Sequence, residues 1–306
     1  MIDETLTKID VAPERVAPHP ERPAKSFWRE SLERLRENRL GMVAGGLIAL
    51  LALIAICAPL ISALITHYDP ARQDLENNFA MPGRLHWLGS DELGRDTLTR
   101  LVWGARISLG VGFLTVGIQL TFGAAIGLIA GYYGRVVDDV SMRVVDVVLA
   151  FPPIFLFIGL SILFRPSTLT LSLIIAFVGW SVVARLVRGE VLSIKNRDFM
   201  MATRSIGARD LRLIVAHLLP NAMPVMIVSA SLALGQIILI EAALDFLGLG
   251  IQPPTASWGN MLTNAQTYFV HSVWLVIFPG ITIFVTVLAA NLFGNAVRDA
   301  FDPRLR

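Results

Sequence analysis

Charge is what this chain is short of. Asp, Glu, Lys and Arg make up 16% of its 306 residues, against 54% hydrophobic residues, which excludes an ordinary soluble domain and leaves several windows able to cross a bilayer. The formal net charge of +2 makes no case for nucleic acid as a partner. Cysteine is scarcer still. Cys57 stands alone in an apolar run, so no disulfide can form within the chain. His19, His67, His86, His217 and His271 are scattered, and none pairs with cysteine or carboxylate at ligand spacing, so no metal site is expected. No Gly-x-x-x-x-Gly-Lys-Ser/Thr run supplies a phosphate-cradling loop, and Ser90, Ser108, Ser181 and the other serines lack a base partner or a nucleophile elbow. The expectation is a chain that is not an enzyme and holds no cofactor. The first forty residues, with eight Lys/Arg and eight Asp/Glu, lack the apolar centre of a signal peptide. Pro13, Pro18, Pro20 and Pro23 make Val11 to Ala24 an expected disordered tail.

Long apolar runs are what the chain has instead. They predict an all-α polytopic membrane protein with six transmembrane helices: Met42–Ile65, Ile107–Ala130, Val144–Phe164, Thr168–Ala184, Ala222–Phe246 and Val273–Phe293. Ahead of them, Trp28, Leu32 and Leu35 share a helical face ringed by Arg29, Arg36 and Arg39, which suits a helix over Lys25–Leu40 lying on an anionic membrane surface. Gly110, Gly112, Gly117, Gly123 and Gly127 in the second span allow close helix contacts. Tyr132–Met142 reads as a short charged turn. Pro152-Pro153 in the third span either bends that helix or lines a pore. Asp146 is expected to pair with Arg143 on the same face, a proton relay being the alternative. The organisation is a tail and interfacial helix (1–41), the first span (42–65), a polar segment (66–106), a five-helix core (107–297) holding a polar loop (188–221), and a second tail (298–306). Twenty of the 26 Lys and Arg fall on the side of the two tails and the polar loop, which predicts that side to be cytoplasmic.

The polar loop, RGEVLSIKNRDFMMATRSIGARDLRLIVAHLLPN, reads as helix, glycine hinge, helix. Asp198 caps a short helix over Phe199–Ile206, Gly207 supplies a left-handed residue, and Asp210 caps a second helix running towards Pro220. Leu211, Ile214, Val215 and Leu218 would form its apolar face. By its residues this loop resembles the coupling loop of ABC importer permeases, a Glu-Ala-Ala triplet, three residues, Gly, and a run ending in Leu-Pro. Met201, Ala202 and Thr203 fall on the triplet, Gly207 on the glycine, and Leu219-Pro220-Asn221 on the ending. Met201 departs from the family's Glu and cannot complete a capping box with Asp198. A literal Glu-Ala-Ala at Glu241–Ala243 is a decoy, since Gly248 follows one residue too late.

Further segments resemble the dipeptide, oligopeptide and nickel permease branch of that family. They are Leu88-Gly89-Ser90-Asp91, Gly94-Arg95-Asp96 and Gly104-Ala105-Arg106-Ile107-Ser108; Phe246-Leu247-Gly248-Leu249-Gly250, Pro253-Pro254 and Trp258-Gly259; and Arg298-Asp299-Ala300 with Asp302-Pro303-Arg304. Within the first group, Asp96 caps a short helix whose Leu98, Leu101 and Val102 are expected to rest on the outer membrane face. The resemblance implies a type I importer permease. Such a subunit works with a second permease, two ATPases that bind the ATP and Mg, a substrate-binding protein and the bacterial inner membrane. Dipeptides, longer peptides, glutathione-like peptides and nickel complexes are all substrates it allows.

Two functions compete on the residues alone: the pathway subunit of an ATP-driven importer, and a secondary carrier coupled to an ion through Asp146 or Glu241. No internal repeat of the kind common in carriers is evident, and a hinged polar loop has no task in one. The importer reading is preferred. Its candidate coupling residues are Asp198, Met200, Met201, Ala202, Thr203, Arg204, Gly207 and Pro220, with Met200 and Met201 expected to fill an apolar pocket on the ATPase. Trp180, Glu241 and Asp245 are candidates for the substrate pathway. Like charges at i and i+4 predict that Glu241 and Asp245 face water, either solvating a helix end or lining an outer mouth.

Overall fold

A computed structural model describes residues 27–263 and 265–302 of the chain. The expected tail over Val11–Ala24 and the terminal Pro303-Arg304 lie outside them. Among the described residues there is no strand, only an isolated bridge between Ser90 and Asp96.

The chain enters through α1 (Phe27–Glu37), whose Phe27 and Trp28 rings lie against Phe301 at 6.0 and 5.6 Å. Asn38 then caps α2 (Arg39–Ile56) by accepting from the Gly41 N–H at 2.9 Å. Pro59 lacks an amide donor, so the helix breaks at Cys57 and continues as α3 (Ala58–Ile61) and a π turn over Ser62–Thr66. His67, at φ +58°, ends it.

After a polar loop comes α4 (Thr97–Tyr133), 37 residues or roughly 55 Å long. Asp96 caps it, as the sequence suggests, with Thr99 N–H 2.8 Å from Oδ2. The short separate helix expected there is instead the first turns of this one rod. Val102 is buried and Leu101 packs against the core, so they do not rest on a membrane face. The run from Thr97 to Tyr133 contains no proline, and nothing in it stops the helix.

Only Gly134 (φ +65°) separates α4 from α5 (Arg135–Ala150), so the expected turn over Tyr132–Met142 is mostly helix. At Pro152-Pro153 the chain turns by 87° into α6 (Pro153–Leu163). Each proline drives the residue before it into extended backbone, Phe151 at ψ 135° and Pro152 at ψ 124°, so Val144–Phe164 is two helices meeting at a sharp bend and not one straight helix. Asp146 pairs with Arg185 of the next helix, not with Arg143. The next helix, α7 (Thr168–Ile194), begins at a Ser167 cap and runs on past Ala184, taking the first residues of the polar loop with it.

The short α8 (Asp198–Ser205) follows. Beyond it α9 (Asp210–Arg212), a π segment over Leu213–Leu218 and α10 (Leu219–Phe246) form one continuous run. The expected boundary at Pro220 does not exist, because the wider π turn ahead of it absorbs the proline's missing donor. The buried face changes with the winding: Leu213 and Leu218, five residues apart, are buried while Leu211 and Val215 are exposed. Two short elements, a 3-10 turn at Asn260–Leu262 and α11 (Ala265–Tyr268), lead into α12 (Trp274–Phe301).

Among the described residues five helices are long and apolar enough to cross a membrane, or six when the bent pair α5–α6 is counted as one span. Helices α4 and α7 pack closely along a glycine row. A Cβ on Gly123 would stand 2.6 Å from Val183 Cβ, on Gly127 2.6 Å from the Ala184 carbonyl, and on Gly131 2.7 Å from Val191 Cγ1. Gly117 meets nothing within 4 Å, so the expectation of close packing holds for only some of the glycines.

Candidate coupling helix and substrate pathway

The helix α8 is a two-faced element. Met200 (4% exposed) is sunk among Val191, Ile194, Leu213 and Leu218, whereas Phe199, Met201, Ala202, Arg204 and Ile206 are exposed, Ile206 at 86%. The paired role expected for the two methionines therefore divides: Met200 belongs to this chain's own core, and only Met201 is presented. Asp198 does not cap. Arg197 holds the N-cap position without a side-chain bond, and Asp198 sits in the first turn, where its charge still favours the helix dipole. Asp210 is likewise the first helical residue and Arg209 the cap. Thr203 Oγ1 is spent on the Phe199 carbonyl at 2.7 Å.

Gly207 has φ +86°, the left-handed conformation expected of it. Its N–H donates to the Arg204 carbonyl at 3.0 Å and the Ala208 N–H to the Thr203 carbonyl at 3.3 Å, the paired bonds of a Schellman ending. Pro220 lies exposed at the start of α10, remote from this turn in sequence and not its terminator.

Residues outside the expected set hold α8 in place. Tyr132, the penultimate residue of α4, donates its hydroxyl to Asp210 at 2.5 Å and accepts from Arg204 Nη2 at 3.0 Å. That bond raises the already high pKa of Arg204. Lys195 Nζ donates to the Gly131 carbonyl at 2.8 Å. Arg188 grips both oxygens of Asp138, at 2.5 and 2.6 Å, tying α7 to α5. The charges themselves were visible in the sequence, but their partners lie 50 to 78 residues away with no periodicity to link them.

At the opposite end of the helices, Glu241 and Asp245 are buried, at 0% and 1% exposure, which corrects the expectation that they face water. Glu241 Oε1 accepts from Ser108 Oγ at 3.0 Å, and the same serine accepts the Trp258 N–H at 3.2 Å. Asp245 accepts from the Ile251 N–H at 2.6 Å and from Ser257 Oγ, while Asn260 donates to the Ile251 and Thr255 carbonyls. The bonds to Asp245 hold the loop 247–263 back over the helix ends, and Glu241 is enclosed beneath it with Oε2 lacking a hydrogen-bond partner. Gly104 lies against Trp258 and Gly259 against Ala242, where a Cβ would come within 3.0 and 2.7 Å. Two segments quoted separately above thus meet here.

Trp180 is not brought to this network. It lines an apolar groove of about 290 Å³ with Ile118, Phe122, Leu173 and Phe177 on α4 and α7. A larger cleft of about 520 Å³ opens between α7, α10 and α12, with Ser229, Gln236 and Arg298 among aliphatic walls. Sequence reading missed it, since the lining is mostly aliphatic side chains indistinguishable from ordinary span residues, and its few polar groups, among them Ser229 and Gln236 on α10 and Arg298 on α12, are divided between two helices with no spacing to link them.

A bundle of this topology, with a short two-faced helix between its fourth and fifth spans, defines a class of transport permease. Residues 123–306 match the family described as binding-protein-dependent transport system inner membrane component, and residues 26–82 match the N-terminal TM domain of oligopeptide transport permease C. The chain belongs to that permease family and is a multi-pass membrane protein.

Among individual relatives, it is 42% identical to the dipeptide transport system permease protein DppC of Alkalihalophilus pseudofirmus, over 97% of each chain. It is 40% identical to the di/tripeptide permease DppC of Pseudomonas aeruginosa, over 93% of each. The oligopeptide permease OppC of Bacillus subtilis is 36% identical, over 92% of this chain and 91% of that one. A chain of the MetNI methionine ABC transporter, in an inward-facing conformation, superposes with a TM-score of 0.50 at 17% identity, over 65% of this chain and 96% of its own, and it bears on the fold alone.

Proposed function

We propose that this chain is a pathway-forming permease of an ATP-driven peptide importer, most closely suited to di- and oligopeptides. It would pair with a second permease, take its energy from two separate ATP-binding subunits at α8, and receive substrate from a binding protein at the opposite face, with α8 and both termini in the cytoplasm. The observation that carries the coupling role is the exposure of Phe199, Met201 and Ile206 along and just after a helix that Met200 anchors in the core. Large apolar side chains held rigidly at a polar end of a membrane protein mark a docking surface.

The cleft containing Ser229, Gln236 and Arg298 is the better candidate for the pathway than Glu241 and Asp245, which the loop 247–263 covers. Reconstitution in vesicles tests the whole reading. The assembled transporter should accumulate peptide only with ATP inside and binding protein outside, and the purified chain alone should accumulate none under a proton or sodium gradient. Gradient-driven uptake by the chain alone would refute it.

A further inference from the structure

Three separate elements converge on one phenolic oxygen. A tyrosine hydroxyl has one proton to give and lone pairs to receive with. Here the proton goes to Asp210, at the root of the α9–α10 run, and a lone pair receives Arg204 Nη2 from α8. The Arg204 guanidinium also lies over the Tyr132 ring, 5.5 Å from its centroid, and the ring is 8% exposed in a cluster with Leu128, Met200 and Leu213. Just beside it, Lys195 from the end of α7 binds the Gly131 carbonyl. Since the glycine row seals α4 against α7, the body to which α8 is tied has little slack of its own. Three residues beyond Arg204, at the same end of α8, Gly207 closes the helix through backbone bonds alone, and a Cβ there would meet nothing within 4 Å.

We propose that Tyr132 is the positioning residue of coupling: its hydroxyl fastens α8 to the end of α4 and to the root of α10 at once, so that a displacement of α8 moves both membrane helices together. This rests on the reading of α8 as the element that meets the ATPase. Without the hydroxyl, α8 keeps its apolar outer face and can still dock, but it turns on the Gly207 hinge and the displacement is lost before it reaches the membrane.

The test uses the transporter assembled with its ATP-binding partners. Tyr132→Phe keeps the ring and its packing and removes both hydrogen bonds. Uptake per ATP hydrolysed is expected to fall about tenfold, the scale of the one charge-assisted bond that links α8 to the hydroxyl, while a cysteine at Met201 still crosslinks to the ATPase. Arg204→Lys, which can donate to the hydroxyl, should stay near the parent. Arg204→Met, at an exposed position that folding tolerates, should fall like Tyr132→Phe, and the double variant should be no worse than either single one. A parental ratio of uptake to ATP in Tyr132→Phe or in Arg204→Met overturns the proposal and leaves α8 as the docking helix. Absence of the Met201 crosslink in the parent removes the reading of α8 itself.

Discussion

Replacing Gly207 by valine isolates backbone strain from packing. A Cβ at this position meets nothing within 4 Å, so no neighbour is displaced, and the entire cost comes from holding a β-branched residue at φ +86°. That cost is about 1–2 kcal/mol. If it is relieved by releasing the Schellman bonds of Gly207 and Ala208, α8 leaves its docked position, and the population held correctly falls roughly five- to thirtyfold. The matched control is Gly189→Val. Its Cβ also points into open space, but on a regular turn of α7, where valine is slightly better than glycine. Membrane level, peptide uptake and ATPase stimulation by loaded binding protein are measured in vesicles for both. Normal accumulation with strongly reduced uptake and stimulation is expected for Gly207→Val, and parental values for Gly189→Val. Equal behaviour of the two variants would refute the assignment of Gly207 as the point that sets α8.

Three further outcomes are expected. In a background lacking Cys57, a cysteine at Met201 should react rapidly with a hydrophilic thiol reagent and one at Met200 hardly at all, since the two side chains are 54% and 4% exposed; equal rates would contradict the two faces of α8. Gly127→Ala should cost about 1–3 kcal/mol from overpacking, because its Cβ would stand 2.6 Å from the Ala184 carbonyl, and a thermal-shift assay of the purified chain would show it; an unchanged midpoint would mean that α4 and α7 can part freely. Asp245→Ala leaves the buried Ile251 amide and Ser257 hydroxyl without their acceptor, at about 1–3 kcal/mol each. Limited proteolysis should then cut within 247–263 far faster than in the parent, and an unaltered cleavage pattern would show that Asp245 does not hold that loop.

The spans were readable because a bilayer demands long apolar runs, and each window yielded a helix or a broken pair. Their ends were not readable. Apolar character stops at the membrane boundary while the hydrogen-bonded helix does not, so α7 continues through Arg188 to Ile194 and α12 to Phe301. Gly207 was legible because one residue type satisfies its backbone. Asp198 and Asp210 were misplaced by one position, since an acidic residue favours both the cap and the first turn. Glu241 and Asp245 were misread for a deeper reason: charge pattern on one helix says nothing of the donors that Ile251 and Ser257 of the following loop, and Ser108 of α4, bring to it. Only tertiary structure decides whether two acids face water or the hydroxyls and amide of a folded-back loop and its neighbour helix.

A single unbroken rod imposes an arithmetic on its own length. Ser108, in the network beside Glu241, and Tyr132, against α8, both sit on α4, twenty-four residues and some 36 Å apart. Each added or deleted residue between them turns one end against the other by about 100° and slides it by about 1.5 Å. Neither the glycine row against α7 nor the two terminal hydrogen-bond networks could survive such a step together. The interval from Ser108 to Tyr132 therefore behaves as a ruler, in which no residue can be counted in or out.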